Sequence, residues 1–112
     1  MKKYIALYLA PVSVLEEMAN ATPEQAKAGM NAWMAWAKKT GSALIEMGAP
    51  LGNAKHITRN GIADAKSEVC GYSIVEAASA EEAAKLFEDH PHVRAMMSAS
   101  VEVLEFMPME DA

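Results

Sequence analysis

A change of residue type at Ser79 constrains this chain more than any other feature. Val69, Tyr72, Ile74 and Val75 are β-branched or aromatic residues that suit a pleated, partly buried surface, while from Ser79 to Phe87 the chain turns to Ala, Glu, Lys and Leu. A strand therefore runs directly into a helix. Ser79 and Glu82 have capping-box spacing: the hydroxyl accepts from the N–H of residue 82, and the Glu82 carboxylate reaches back to the N–H of residue 79. Pro91, preceded by Asp89 and His90, bars the helix from continuing.

The other elements follow from similar local signals. Lys3 to Leu9 alternates Ile5, Leu7 and Leu9 with Tyr4, Ala6 and Tyr8, so both faces of this first strand are apolar or aromatic, and Pro11 ends it. Val12 to Asn20 reads as a short helical turn or an ordered loop. Thr22-Pro-Glu-Gln25 combines a Thr cap, Pro at the first helical position and Gln at the capping-box position, and the helix it opens should reach about Lys39, with Gly41 as its left-handed cap. On a helical wheel Ala26, Gly29, Met30, Trp33, Met34, Trp36 and Ala37 share one arc, with Trp33 near its middle and Met34 and Trp36 at its margins. Ser42 to Glu46 either prolongs the helix or begins a strand, and Gly48 and Pro50 stop it. Asn53 to Arg59 reads as the next strand and Asn60-Gly61 as a type I′ hairpin turn, after which Ile62 to Glu68 loops out. Ser100 to Met107 is the last strand, with Val101 and Val103 on one face and Leu104 and Phe106 on the other. Pro108 closes it, and the tail Glu110-Asp-Ala112 is expected to fray.

The order is β-α-β-β-α-β, which predicts an α+β, ferredoxin-like fold with two helices on one face of a four-stranded antiparallel sheet. Its 112 residues, 52% of them apolar, suit a single domain spanning 1–112. The helices cover one face, which leaves Tyr4, Ala6 and Tyr8 apolar and uncovered on the other; a second copy packed sheet to sheet is the economical remedy. The chain should then be a homodimer.

Charge and composition exclude several classes of function. A net charge of −5 leaves no basic stripe for a phosphate backbone, so no nucleic-acid partner is expected. The single cysteine, Cys70, rules out an intrachain disulfide and reads as a buried structural thiol in a cytoplasmic protein. The apolar run Ile5 to Ala10 is too short for a signal peptide or a membrane span. His90-Pro-His92 spaces two imidazoles for a metal but has no third ligand, and no glycine-rich phosphate loop occurs, so neither metal nor cofactor is expected. The nine methionines read as packing residues.

His56 and Asp64 flank the hairpin turn, and a carboxylate beside an imidazole is the usual general-base arrangement, since it holds the tautomer and steadies the imidazolium. They are the candidate catalytic pair, against the plainer reading of two exposed polar residues. Trp33, Trp36 and Tyr72 are the candidate aromatic wall for a planar small-molecule ligand.

A resemblance covers nearly the whole chain. Thr22-Pro-Glu-Gln25, the helix centred on Trp36, Gly48-Ala-Pro-Leu51, Gly71-Tyr-Ser-Ile-Val-Glu-Ala77, Glu81-Glu-Ala-Ala84, the Pro91 region and Ser100-Val-Glu-Val-Leu104 occur in the order found in YCII-related proteins, including their DGPF branch. The Gly-Tyr-x-Ile-Val-Glu-Ala strand and its acidic, Ala-rich helix are the most specific part. The resemblance implies a dimeric α+β barrel, and a family that includes small enzymes acting on chlorinated or hydroxylated rings. Two positions depart from the pattern. The Asp-Gly-Pro-Phe segment should fall near Ile62 to Ala65, where only Asp64 answers to its acid, and the helix histidine paired with an aspartate in YCII-type members falls near Asn31, which cannot act as a base. The reading that results is a small cofactor-free enzyme of lyase or isomerase type acting on a ring or lactone-like compound. The alternative is a non-catalytic dimeric module that binds a small molecule.

Overall fold

The computed structural model describes residues 1–109, so the expectation of a frayed tail at Glu110-Asp-Ala112 lies outside the described residues. Six strands and four helices follow one another: β1 (Lys2–Leu9), α1 (Val12–Met18), α2 (Pro23–Thr40), β2 (Leu44–Glu46), β3 (Lys55–Thr58), β4 (Gly61–Asp64), β5 (Val69–Ala77), α3 (Ala80–Lys85), α4 (Pro91–Ala95) and β6 (Ser100–Glu105). Four strands form one sheet in the order β2-β5-β1-β6, with antiparallel neighbours throughout, and the helices that cover it lie on one face. This is the ferredoxin-like arrangement that the order of elements predicts.

The helix starts follow the local chemistry. Both halves of the α2 capping box form: Thr22 Oγ1 accepts from the Gln25 N–H at 3.1 Å, and Gln25 Oε1 accepts from the Thr22 N–H at 2.9 Å. At α3, Ser79 Oγ accepts from the Glu82 N–H as expected, but the Glu82 carboxylate takes the N–H of Ala78, one residue earlier than the box requires. The helix from Ser79 is also shorter than its composition suggests. It unwinds after Lys85, and α4 begins separately at Pro91 with His90 as its cap.

Three expectations are corrected. First, Asn53 to Arg59 is not the second strand of the main sheet; that role falls to Leu44–Glu46, and β3 pairs only with β4 in a separate ribbon. Tight turning at Gly48 explains the early entry: its φ is 81°, and a Cβ there would stand 1.7 Å from the Tyr72 carbonyl oxygen, so only glycine lets the chain leave β2 against β5. Second, the ribbon turns one residue earlier than predicted and Gly61–Asp64 is a strand where a loop was expected: Thr58 pairs with Gly61, so Arg59-Asn60 is the connection, neither has a positive φ, which excludes the type I′ geometry, and Gly61, at φ 130°, already belongs to β4. Third, Tyr4, Ala6 and Tyr8 lie beneath the helices, and it is Ile5, Leu7 and Leu9 that face away. Alternation alone could not tell the two apolar faces apart. The neighbouring strand decides: β5 sets Gly71 beside Tyr8 and Ser73 beside Ala6, which leaves room for the tyrosine rings under α2, and a Cβ on Gly71 would already lie 3.3 Å from Tyr8 Cδ2.

The core is thus Tyr4, Ala6, Tyr8, Val75 and Ala77 from the sheet, closed by Trp36 and Ala83 from the helices and by Phe87 from the turn after α3. α2 contributes only its second half. Trp36, expected at the margin of the apolar arc, is its one fully buried residue, whereas residues 21–32 are all exposed and Met30 and Met34 are 54% and 53% accessible.

Candidate functional site

The chemistry-bearing side chains gather where the C-terminal half of α2 meets the turn between α3 and α4, over the Tyr8 end of β1. His90 is fully buried there. As the cap of α4, its Nδ1 accepts the His92 backbone N–H at 3.0 Å, so the neutral ring carries its proton on Nε2. Among the described residues that Nε2–H has no hydrogen-bond partner. What surrounds the ring is aromatic: Trp33 and Trp36 each lie 4.4 Å away between centroids, inclined at 89° and 66°, and Tyr8 lies 4.8 Å away. Indole faces are weak acceptors, which offsets part of the cost of the orphaned donor. Burial, with a smaller contribution from His92, pushes the His90 pKa down to about 4.

A polar chain runs beneath this box. The Tyr8 hydroxyl and Ser73 Oγ are 2.7 Å apart and Ser73 Oγ donates to the Met47 carbonyl at 2.6 Å, so Tyr8 donates to Ser73. Burial raises the Tyr8 hydroxyl to about 12, and the ring stays neutral. His92 Nε2 donates to the Leu9 carbonyl at 2.8 Å, tying α4 to the end of β1. Among the described residues no three His, Cys, Asp or Glu side chains are grouped as metal ligands.

On the outer side of Trp36 the surface opens into a groove of about 450 Å³ between α2 and the α3–α4 turn. Ala32, Ala35, Trp36 and Leu86 form its apolar lining, and Lys39 and Lys85 stand on it from opposite helices. The Trp36 indole N–H donates to the Leu86 carbonyl at 2.8 Å, which fixes the wall between groove and core. A volume in this range suits a small organic molecule.

The residues singled out from sequence are not brought to one place. β3 and β4 pair with Lys55 opposite Asp64 and His56 opposite Ala63, so His56 and Asp64 project from opposite faces of the ribbon. Asp64 forms its ion pair with Lys55 Nζ, and both His56 and Asp64 are exposed. Hairpin proximity was read correctly, but Asp64 stands opposite Lys55, one residue from His56, and the two-residue side-chain period sends adjacent residues to opposite sides. Trp33 and Trp36 do share the box around His90. Tyr72 does not join them: alternation along β5 sends it to the open face of the sheet, where its hydroxyl donates to Glu46 Oε1 at 2.5 Å and is raised by that bond. Cys70 lies partly buried, its thiol raised by burial.

The sheet order, the tight turn at Gly48 and the β5-to-α3 junction lie on the segments that carry the family resemblance. The family profile of the YCII-related domain matches residues 3–107. The chain belongs to the YCII-related family. No curated protein matches it by sequence. Among the described residues no helix of this YCII-related chain is long and apolar enough to cross a membrane. The sequence reading missed the roles of His90 and Ser73, although two signals were present: a polar residue directly before a helix-opening proline is a cap, and a serine among the inward positions of β5 needs a buried partner.

Proposed function

We propose that this YCII-related protein is a homodimeric small-molecule-binding module whose ligand lies in the groove against Trp36. The groove is the observation that carries the reading: a concave surface of about 450 Å³ with an apolar floor at Trp36 and Leu86, polar side chains beside it, and the aromatic box behind it. The separation of His56 from Asp64 favours binding over catalysis, because the base and its orienting acid are on opposite faces of an exposed ribbon. Titration of small phenolic and lactone compounds, followed by tryptophan fluorescence and thermal shift, tests it. Saturable binding that is lost in Trp36→Leu supports the reading, and binding unaffected by that substitution removes it.

The dimer is supported by the open face of the sheet, where Ile5, Leu7, Leu9, Tyr72, Ile74 and Leu104 meet no helix. It is supported too by size: the radius of gyration is 15.6 Å, against about 13 Å for a compact chain of this length. Light scattering should return twice 12.0 kDa. A cofactor-free lyase or isomerase acting on a small ring is the second reading, with His56 as base and Asp64 as its partner. It requires a rearranged ribbon, and it is favoured if a compound from the same screen is turned over and His56→Ala abolishes the turnover.

A further inference from the structure

We infer that the groove is selective for a flat organic anion, whose carboxylate or phenolate sits between Lys39 and Lys85. The inference rests on the reading of the groove as a binding site and adds the charge of its occupant. The apolar lining offers no oriented donor of its own. The Trp36 indole N–H is spent on the Leu86 carbonyl, and the Thr40 hydroxyl donates to the Trp36 carbonyl at 2.8 Å. The two lysine ammonium groups are the donors left on the lining. Among the described residues neither takes part in an ion pair, and Asp89, the one carboxylate on the lining, is held by Arg94 at 2.8 Å. Two unpaired cations against one carboxylate that Arg94 already holds leave the groove net positive on a chain of net charge −5, a local reversal of the molecule's overall sign. A planar ring packs on Trp36 and Leu86, and its anionic group then lies within reach of both ammonium groups.

Benzoate is the probe and benzyl alcohol its uncharged counterpart. In a Trp33→Phe background Trp36 is the sole fluorophore of the two tryptophans, and its signal reports on the groove alone. Benzoate should perturb it saturably, and benzyl alcohol should bind at least about tenfold more weakly. Each of Lys39→Gln and Lys85→Gln should weaken benzoate by about fivefold, the double variant by more than about tenfold, and added salt should do the same progressively. Lys27→Gln, on the same helix but outside the groove, should change nothing. If benzyl alcohol binds as tightly and the lysine variants have no effect, the anion inference is overturned while the groove remains a binding site. If neither compound perturbs Trp36 up to about 10 mM, both the inference and the binding reading fall. Circular dichroism of each variant guards against misfolding.

Discussion

The two faces of the same sheet carry nearly equal amounts of apolar side chain and have opposite fates. The face with Tyr4, Ala6, Tyr8, Ser73 and Val75 is closed by helices, and each of these residues is at most 1% exposed. The other, with Ile5, Leu7, Leu9, Tyr72, Ile74 and Leu104, is left half-open. The difference lies in depth. Small residues at 71 and 73 let large rings sink beneath α2, whereas the open face sets Ile5 between Ile74 and Leu104 and Leu7 between Tyr72 and Glu102, with no small residue to make such a recess. A face with relief accepts a helix, and a flat one suits another flat sheet.

Removing Trp36 should damage the closed face most. Trp36→Ala deletes the contacts with Phe87 and His90, at 5.2 Å and 4.4 Å between centroids, and strands the Leu86 carbonyl. A loss of about 3–5 kcal/mol is expected in urea unfolding. Leu7→Ala, a truncation on the open face, should cost much less in dilute solution and more as protein concentration rises, because in the proposed dimer its burial depends on the partner. Equal, concentration-independent losses at both sites would break the contrast.

Acid should also act on the closed face. Unfolded, His90 binds a proton near pH 6.5; folded, it resists until about pH 4. Between those values the unfolded state holds more protons, so stability falls as pH falls through this window and levels off, for this group, below about pH 4. The shift corresponds to about 3 kcal/mol at most. Unfolding free energies of the natural chain and of His90→Gln, measured from pH 7 to 4, should converge toward the acid end. Parallel curves would show that His90 does not titrate in this environment.

Charges on the open face should change assembly more than folding. Leu7→Glu with Ile74→Glu should halve the scattering mass, with the unfolding midpoint at low concentration moving by about 1 kcal/mol or less, since both side chains point away from the helices. A double variant that still sediments as a dimer would move the interface elsewhere, to the ribbon or to the exposed half of α2.

The α+β class and the helix starts were legible because they rest on local signals, a cap, a proline, a switch of residue type, whereas the second strand of the sheet was misplaced onto the ribbon. Which face goes inside was not legible. It depended on Gly71 and Ser73 lying beside Tyr8 and Ala6, a register between strands more than sixty residues apart in sequence. The candidate site divides in the same way. Trp33 and Trp36 were found from their helical spacing, while His90 stood in the sequence only as one of two imidazoles short of a third metal ligand, because its burial depends on β1 and α2 meeting over it. Tyr72 was placed in the wall although strand parity assigns it to the other side of the sheet.

The smallest effects belong to the ribbon, which shares neither face. His56, Ile57, Ile62 and Asp64 are all exposed, and among the described residues no other strand pairs with β3 or β4. His56→Ala removes an imidazole that packs on little, and Asp64→Asn removes one solvent-exposed ion pair with Lys55. Exposed pairs contribute well under about 1 kcal/mol, so neither melting curve should move measurably. Groove binding should also survive both substitutions, because the ribbon contributes no side chain to the lining. Asp64→Asn has one specific expected consequence: faster amide exchange across Lys55 and Asp64 in the ribbon, with the main sheet unaffected. A loss of ligand binding in His56→Ala, with the fold intact, would mean that the ribbon reaches a site on another copy. That outcome would bring His56 back into the functional account through the dimer.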